Sequence, residues 1–243
     1  MRLVPIADYA FARSEVMAPV VVDELPDVAR EFPIVFPTGG DVPVALMGVS
    51  EGSNAYVSPD GQWLARYVPA HIRHYPLALV RVPVARVDAA APAPDSSRLA
   101  VLVDVASACV SFTEGEPVFG GDGQPAGAAQ RKIRLMKALR ARAVLTQRLV
   151  KAIDEAGLLV ERNIQIQTPG ELVRAVSGLK MVDESALNKL DDVAFNKLRA
   201  MGALPLVYAS LLSWANFRQG PMGKSHPLPA PAGLPGDDVI RFN

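Results

Sequence analysis

Two kinds of hydrophobic spacing divide this chain, and that division limits its fold more than any other feature. Through residues 33–112, short apolar runs are cut by turn-forming residues every few positions. Pro33-Ile34-Val35-Phe36 precedes the turn Thr38-Gly39-Gly40-Asp41, and Val42 to Val49 precedes Glu51-Gly52-Ser53-Asn54. Asn54 to Ser58 then meets Pro59-Asp60-Gly61. This is the strongest turn signal in the chain, because Pro presets φ and Gly accepts φ > 0. Trp63 to Val68 reads as the returning hairpin arm. Leu77 to Val87 is rich in Val and Leu, Ala89 to Ser97 is a Pro/Ala loop, and Leu99 to Phe112 is the longest apolar strand. Turns this frequent favour antiparallel connections over βαβ crossovers.

Beyond residue 127 the period changes. Leu135, Leu139, Leu149 and Ile153 share one face at helical spacing, which predicts a helix over Ala128–Ala156 with Gly157 as its stop. Ile164 to Gln167 and Leu172 to Val176 flank Thr168-Pro169-Gly170 and read as a small hairpin. Short helices follow around Leu187 and Leu190, over Val193–Met201 and over Pro205–Gln219. Residues 1–32 read as an extended lead-in with a short helical turn. Strand patterns first and helical patterns second indicate an α+β fold. The expected order is an antiparallel-rich β-sheet region, a long helix, a small hairpin and a C-terminal helical part. We expect one domain over residues 1–219 and an extended Pro/Gly-rich tail over 220–243.

Composition removes several classes. Half of the 243 residues are hydrophobic and the formal net charge is zero, so wholesale disorder is excluded. Zero net charge also argues against a dedicated nucleic-acid protein, which carries a basic surplus. No apolar run approaches the roughly 20 residues of a transmembrane helix. The first residues lack a signal-peptide core, since Asp8, Arg13 and Glu15 interrupt it. The expected location is cytoplasmic, or exported without a cleaved signal. Cys109 is the single cysteine, which rules out an internal disulfide; it reads as a small core thiol.

Binding chemistry concentrates between Asp60 and Pro76. Trp63, Arg66, Tyr67, His71, Arg73, His74 and Tyr75 all fall there. Trp, Tyr and Arg are the residue types enriched at binding hot spots, and Arg can hold a carboxylate or phosphate bidentately. The same aromatic residues would serve equally as anchors of a sheet. His71, His74 and Asp60 have the residue types of a facial metal triad. On a strand the two histidines would point apart, and on a helical turn they could converge. No metal and no cofactor is assigned, and no catalytic residue is designated. The segment 131–151 carries eight basic residues and no acid: Arg131, Lys132, Arg134, Lys137, Arg140, Arg142, Arg148 and Lys151. Without interleaved aromatics it reads as a solvated face able to meet an acidic protein partner. The glycines at 115, 120, 121, 123 and 127 precede this helix but form no phosphate-loop motif, and Glu114, Glu116 and Asp122 would repel an anion.

Several of these segments together resemble the SapC family. They are Glu31-Phe32-Pro33-Ile34-Val35-Phe36, Val44-Ala45-Leu46-Met47-Gly48, Asn54-Ala55-Tyr56-Val57, Asp60-Gly61-Gln62-Trp63 and the stretch Tyr67 to Pro76. The order continues with Glu114-Gly115-Glu116-Pro117-Val118-Phe119, Gly178-Leu179-Lys180-Met181-Val182-Asp183 and Tyr208-Ala209-Ser210-Leu211-Leu212-Ser213. The loop Gly120-Gly121-Asp122-Gly123 is less acidic than the family pattern, and the Pro-rich tail lies outside it. The family takes its name from a locus for a bacterial surface layer. The resemblance therefore implies a non-catalytic accessory or interaction protein linked to such a layer, and it carries over no catalytic residue. The alternative is a small-molecule-binding protein or enzyme with a pocket around Arg66, His71, Arg73 and His74.

Overall fold

The computed structural model describes residues 1–50, 52–83, 97–166 and 174–225. In chain order the first half holds β1 (Arg2–Leu3), β2 (Met17–Pro19), α1 (Leu25–Val28), β3 (Ile34–Pro37) and β4 (Val44–Leu46). It continues with α2 (Ala70–Arg73), β5 (Leu77–Pro83), β6 (Ser97–Val103), β7 (Val110–Ser111) and β8 (Glu116–Pro117). The second half holds α3 (Gly127–Glu155), β9 (Leu159–Ile166), β10 (Arg174–Val182), α4 (Glu184–Asn188), α5 (Asp192–Met201), α6 (Leu204–Ser213) and α7 (Gly220–Ser225). Antiparallel sheets come with a long helix and a helical C-terminal part, so the fold is α+β, as the spacing predicts.

The main sheet runs β2–β4–β3–β10–β9, with antiparallel pairing throughout. β9 and β10 form the expected hairpin but extend well past Ile164–Val176, and β10 joins β3 through Leu179↔Pro37 and Lys180↔Phe36. The hairpin's turn at 168–170 lies outside the described residues. A bulge between Val176 and Leu179 lets Gly178, at φ +77, turn its carbonyl to accept the Thr38 N–H at 2.8 Å.

Helix α6 packs on β3 and β10 in the middle of this sheet. The Ser213 hydroxyl accepts the Ile34 N–H at 2.9 Å, and the Ser210 hydroxyl donates to the Ile34 carbonyl at 3.0 Å. Both serines are fully buried. Two hydroxyls thus satisfy the Ile34 backbone groups, which lie beyond the β3–β10 pairing at Phe36 and Pro37. In the main core, Phe32, Tyr56 and Trp63 pack as an aromatic cluster with Tyr9.

Helix α3 runs within one residue of its expected ends, and Gly157 adopts φ +71 just past it. Gly202 likewise ends α5 in the left-handed conformation, and Asp183 and Asp191 accept N–H groups at the starts of α4 and α5. Four local expectations need correction. The apolar run 99–112 is two strands, because Asp104 and Ser107 accept the N–H groups of Ala106 and Cys109 and bend the chain between them. The arm expected at 63–68 is a single bridge, Val57↔Trp63; Trp63 turns into the core and its Nε1–H donates to the Tyr67 carbonyl. Asn54–Ser58, left without that arm to pair with, forms no strand of its own. The tail does not begin extended: α7 brings Met222 into the core, where it is 1% exposed. The Pro/Ala loop and the residues beyond 225 lie outside the described residues.

Among the described residues, strands β5 and β6 pair only with each other, apart from the main sheet. β5 rests on α3, and a small second core of Leu3, Leu77, Val118, Ala129 and Met136 joins the two. A two-stranded ribbon covers little apolar surface by itself. Leu102 is accordingly 53% exposed, and beyond β6 Val105 and Phe112 are 66% and 76% exposed. Among the described residues no single helix is long and apolar enough to cross a membrane.

Candidate functional site

The segment 60–76 is organised by a residue outside the candidate cluster, Glu24. It ends a 3-10 turn, Val22–Glu24, that docks on α3 through Val22 N–H to the Thr146 hydroxyl and through the Arg142–Asp23 ion pair at 2.7 Å. Glu24 is 6% exposed. Its Oε1 accepts the Tyr67 hydroxyl and the Ala70 N–H, both at 2.8 Å, and its Oε2 accepts the Val21 N–H at 3.3 Å. A carboxylate this buried is tolerated because donors surround it. Its signal in the sequence is an acidic pair within an otherwise apolar stretch, Val20-Val21-Val22-Asp23-Glu24-Leu25, which does not say which of the two acids is buried.

Around that anchor the candidate residues separate. Trp63 is half-buried in the aromatic cluster and serves the core. Tyr67 bridges Glu24 and Arg73: its oxygen accepts Arg73 Nη2 at 3.0 Å, and the guanidinium carbon lies 5.3 Å from its ring centre. Burial, reinforced by the bond to Glu24, raises the Tyr67 phenol above its ordinary value. Arg66 donates its backbone N–H to Glu31 Oε2 at 2.6 Å. With Asp27, Arg30, Glu31 and Tyr67 it lines a cleft of about 310 Å³. Tyr75 stacks on Phe11 at 3.8 Å, with its hydroxyl donating to Asp104, and lines a further depression with Cys109.

His71 and His74 lie on α2 and at its C-terminal end, so the helical alternative holds for them. Their rings sit edge to face, with centres 5.0 Å apart. Both border a groove of about 270 Å³ against α3, lined also by Ala78, Leu79, Met136, Leu139 and Arg140. Burial lowers both imidazoles below their ordinary value. The Glu24 carboxylate opposes this at His71, and the bond to Leu77 opposes it at His74. His74 Nδ1–H donates to the Leu77 carbonyl at 2.7 Å, which fixes its tautomer. Arg66 and Arg73 do not border this groove, and Arg66 lines the cleft beside Glu31 instead. Asp60 stays in its turn, bonded to the Ser58 hydroxyl, and no group of three His, Cys, Asp or Glu positioned to share a metal ion occurs among the described residues.

On α3 the eight basic residues divide by face. Arg131 pairs with Glu116 at 2.7 Å, Arg142 with Asp23, and Lys132 Nζ donates to the Arg73 carbonyl at 2.7 Å. At about 100° per residue, Arg134, Lys137, Arg140, Arg148 and Lys151 fall within an arc of about 120°. The first four of these are exposed and form no ion pair among the described residues, whereas Lys151 lies 3.8 Å from Glu155. Val144, half exposed, sits in the same arc. The glycine loop before α3 holds no anion cradle. The helix start is taken by the chain's own Glu116, whose carboxyl the Arg131 guanidinium and the Ala128 N–H hold below the usual carboxylate range. Gly127 opens the helix at φ +50, where a Cβ would be strained and would push the Glu116 carboxylate out of this position.

Comparison with known proteins gives one match. No curated protein and no solved structure is significantly similar to this chain. The SapC family model matches residues 1–219, which span every described β-strand and α1 to α6. The chain therefore belongs to the SapC family.

Proposed function

We propose that the chain is a non-catalytic accessory protein of the SapC type that works by protein contact, with the outer face of α3 meeting an acidic partner of a bacterial surface layer. The observation that carries this reading is the arc Arg134, Lys137, Arg140 and Arg148, which is exposed and without acidic partners among the described residues. The other basic side chains of α3 are used internally, so these four are left for an external contact. Val144 within the arc supplies apolar area between the charges, the mixture found at protein interfaces. The exposed apolar side chains of β6 and of the segment behind it, Leu102, Val105 and Phe112, support an interaction role from a second surface.

The test is capture from surface-layer extracts on the immobilised protein, with Arg134→Gln/Lys137→Gln/Arg148→Gln beside the parent. The expected partner is acidic, elutes at about 1 M salt, where the screening length is about 3 Å, and is lost in the triple variant. Equal retention by the variant refutes the reading.

A further inference from the structure

The groove between α2 and α3 shares Arg140 with the interaction face and joins it to His71, His74 and an apolar floor that the interaction reading does not use. Its floor is apolar, made by Ala78, Leu79, Met136 and Leu139. Its rim carries three polar side chains with unused hydrogen-bonding capacity. Neither ring nitrogen of His71, nor Nε2 of His74, nor the Arg140 guanidinium has a hydrogen-bond or ion-pair partner among the described residues. Apolar walls with a few convergent polar groups are the usual composition of a small-ligand site. At about 270 Å³ the groove lies just below the usual range of such sites, about 300–1,000 Å³, which points to a short ligand.

The charge of the ligand follows from the walls. Arg140 is the formal charge on the rim. Lys132, next to His74, is committed to the Arg73 carbonyl, and Glu24, behind His71, has its oxygens occupied by Tyr67, Ala70 and Val21. A cation would meet Arg140 and Lys132, while a monoanion would match the one free guanidinium, with a carboxylate bound bidentately. His74 adds a second requirement. Its Nδ1 proton is given to Leu77, so Nε2 of the neutral ring only accepts. The ligand must therefore bring a donor of its own close to its carboxylate.

We propose that this groove binds a short-chain hydroxycarboxylate, with its carboxylate on Arg140, its hydroxyl on His74 Nε2 and its alkyl chain on Leu79, Met136 and Leu139. The site shares Arg140 with the interaction face, and the two tests stay distinguishable because the triple variant of the first leaves Arg140 in place.

Calorimetry with 3-hydroxyhexanoate tests the site, using hexanoate, hexyl phosphate and hexylamine as comparison probes. Arg140→Gln and Lys137→Gln serve as paired variants, both at exposed positions. The parent is expected to bind 3-hydroxyhexanoate saturably at one site, hexanoate several-fold more weakly and hexylamine not at all. Arg140→Gln should weaken binding about tenfold, equivalent to ~1.4 kcal/mol, with Lys137→Gln unchanged. In nitrogen-detected spectra the ligand should shift His74 Nε2 more than Nδ1. Absence of saturation by about 10 mM, far outside the range of a built site, overturns the proposal. So does tighter binding of hexyl phosphate or hexylamine, equal loss in Lys137→Gln, or an unmoved His74.

Discussion

Replacing Glu24 separates two accounts of how the segment 60–76 is held. In Glu24→Ala the Ala70 and Val21 N–H groups lose the partner each has, in a region where both residues are buried. An unpaired buried donor costs about 1–3 kcal/mol. Two of them, reduced by the relief of no longer burying a carboxylate, give an expected loss of about 3 kcal/mol. The Tyr67 hydroxyl is half-buried and can turn to water, so it adds little. Glu24→Gln keeps an oxygen for Tyr67 and Ala70 and loses only the longest bond, that of Val21 at 3.3 Å. It should cost about 1 kcal/mol. Urea unfolding followed by the fluorescence of Trp63 and Trp214 measures both. With a slope near 3 kcal/mol per molar, the alanine variant should unfold about 1 M earlier than the parent. An alanine variant within about 0.5 kcal/mol of the parent, or a glutamine variant as unstable as the alanine one, would refute the reasoning. The second outcome would mean that charge, not hydrogen bonding, holds the segment.

Three further outcomes rest on other contacts. Ser213→Ala strips the Ile34 N–H of its acceptor and should lower stability by about 1–3 kcal/mol in the same assay; an unchanged midpoint would contradict that bond. Gly48→Ala would place a Cβ 1.9 Å from the Ser53 carbonyl oxygen, so it should cost at least about 3 kcal/mol or yield insoluble protein; a soluble variant of parental midpoint contradicts that contact. The histidine pair makes stability depend on pH. Burial holds His71 and His74 below their ordinary value, with Lys132 adding to the effect at His74 and Glu24 and the Leu77 carbonyl opposing it. As pH falls below about 6.5 the unfolded chain therefore takes up protons first, and stability falls until the folded-state values are passed. The urea midpoint should drop between about pH 7 and pH 5.5, and His71→Gln/His74→Gln should flatten that slope; identical slopes would contradict the assignment.

Helix α3 is legible in the sequence almost to the residue, because a helix declares its period in successive side chains and its end in Gly157. The turn at Pro59-Asp60-Gly61 is legible too, with Gly61 at φ +87 and its N–H on the Ser58 carbonyl. The run 99–112 reads as one strand because apolar composition does not distinguish a buried strand from an exposed ribbon. Asp104 and Ser107, the residues that break it, are present in the sequence but outweighed by their neighbours. The candidate cluster is close in sequence, yet it fans out over three depressions in space. A short helix and a bend rotate successive side chains by large angles, and residue type carries no information on those angles.

Fold class, the long basic helix and the family are all legible in the residues alone, since each rests on local spacing or on residues in fixed order. Packing between distant segments sets the rest: Glu24 holds Tyr67 and α2, Ser210 and Ser213 satisfy Ile34 at the start of β3, and His71 and His74 meet Arg140 across a groove. Glu24 and Tyr67 are 43 residues apart, and the two serines reach Ile34 across 176 and 179 residues. A hydrogen bond or a cleft between distant segments leaves no periodic trace in either one, because it depends on how the elements pack and not on what each would form alone.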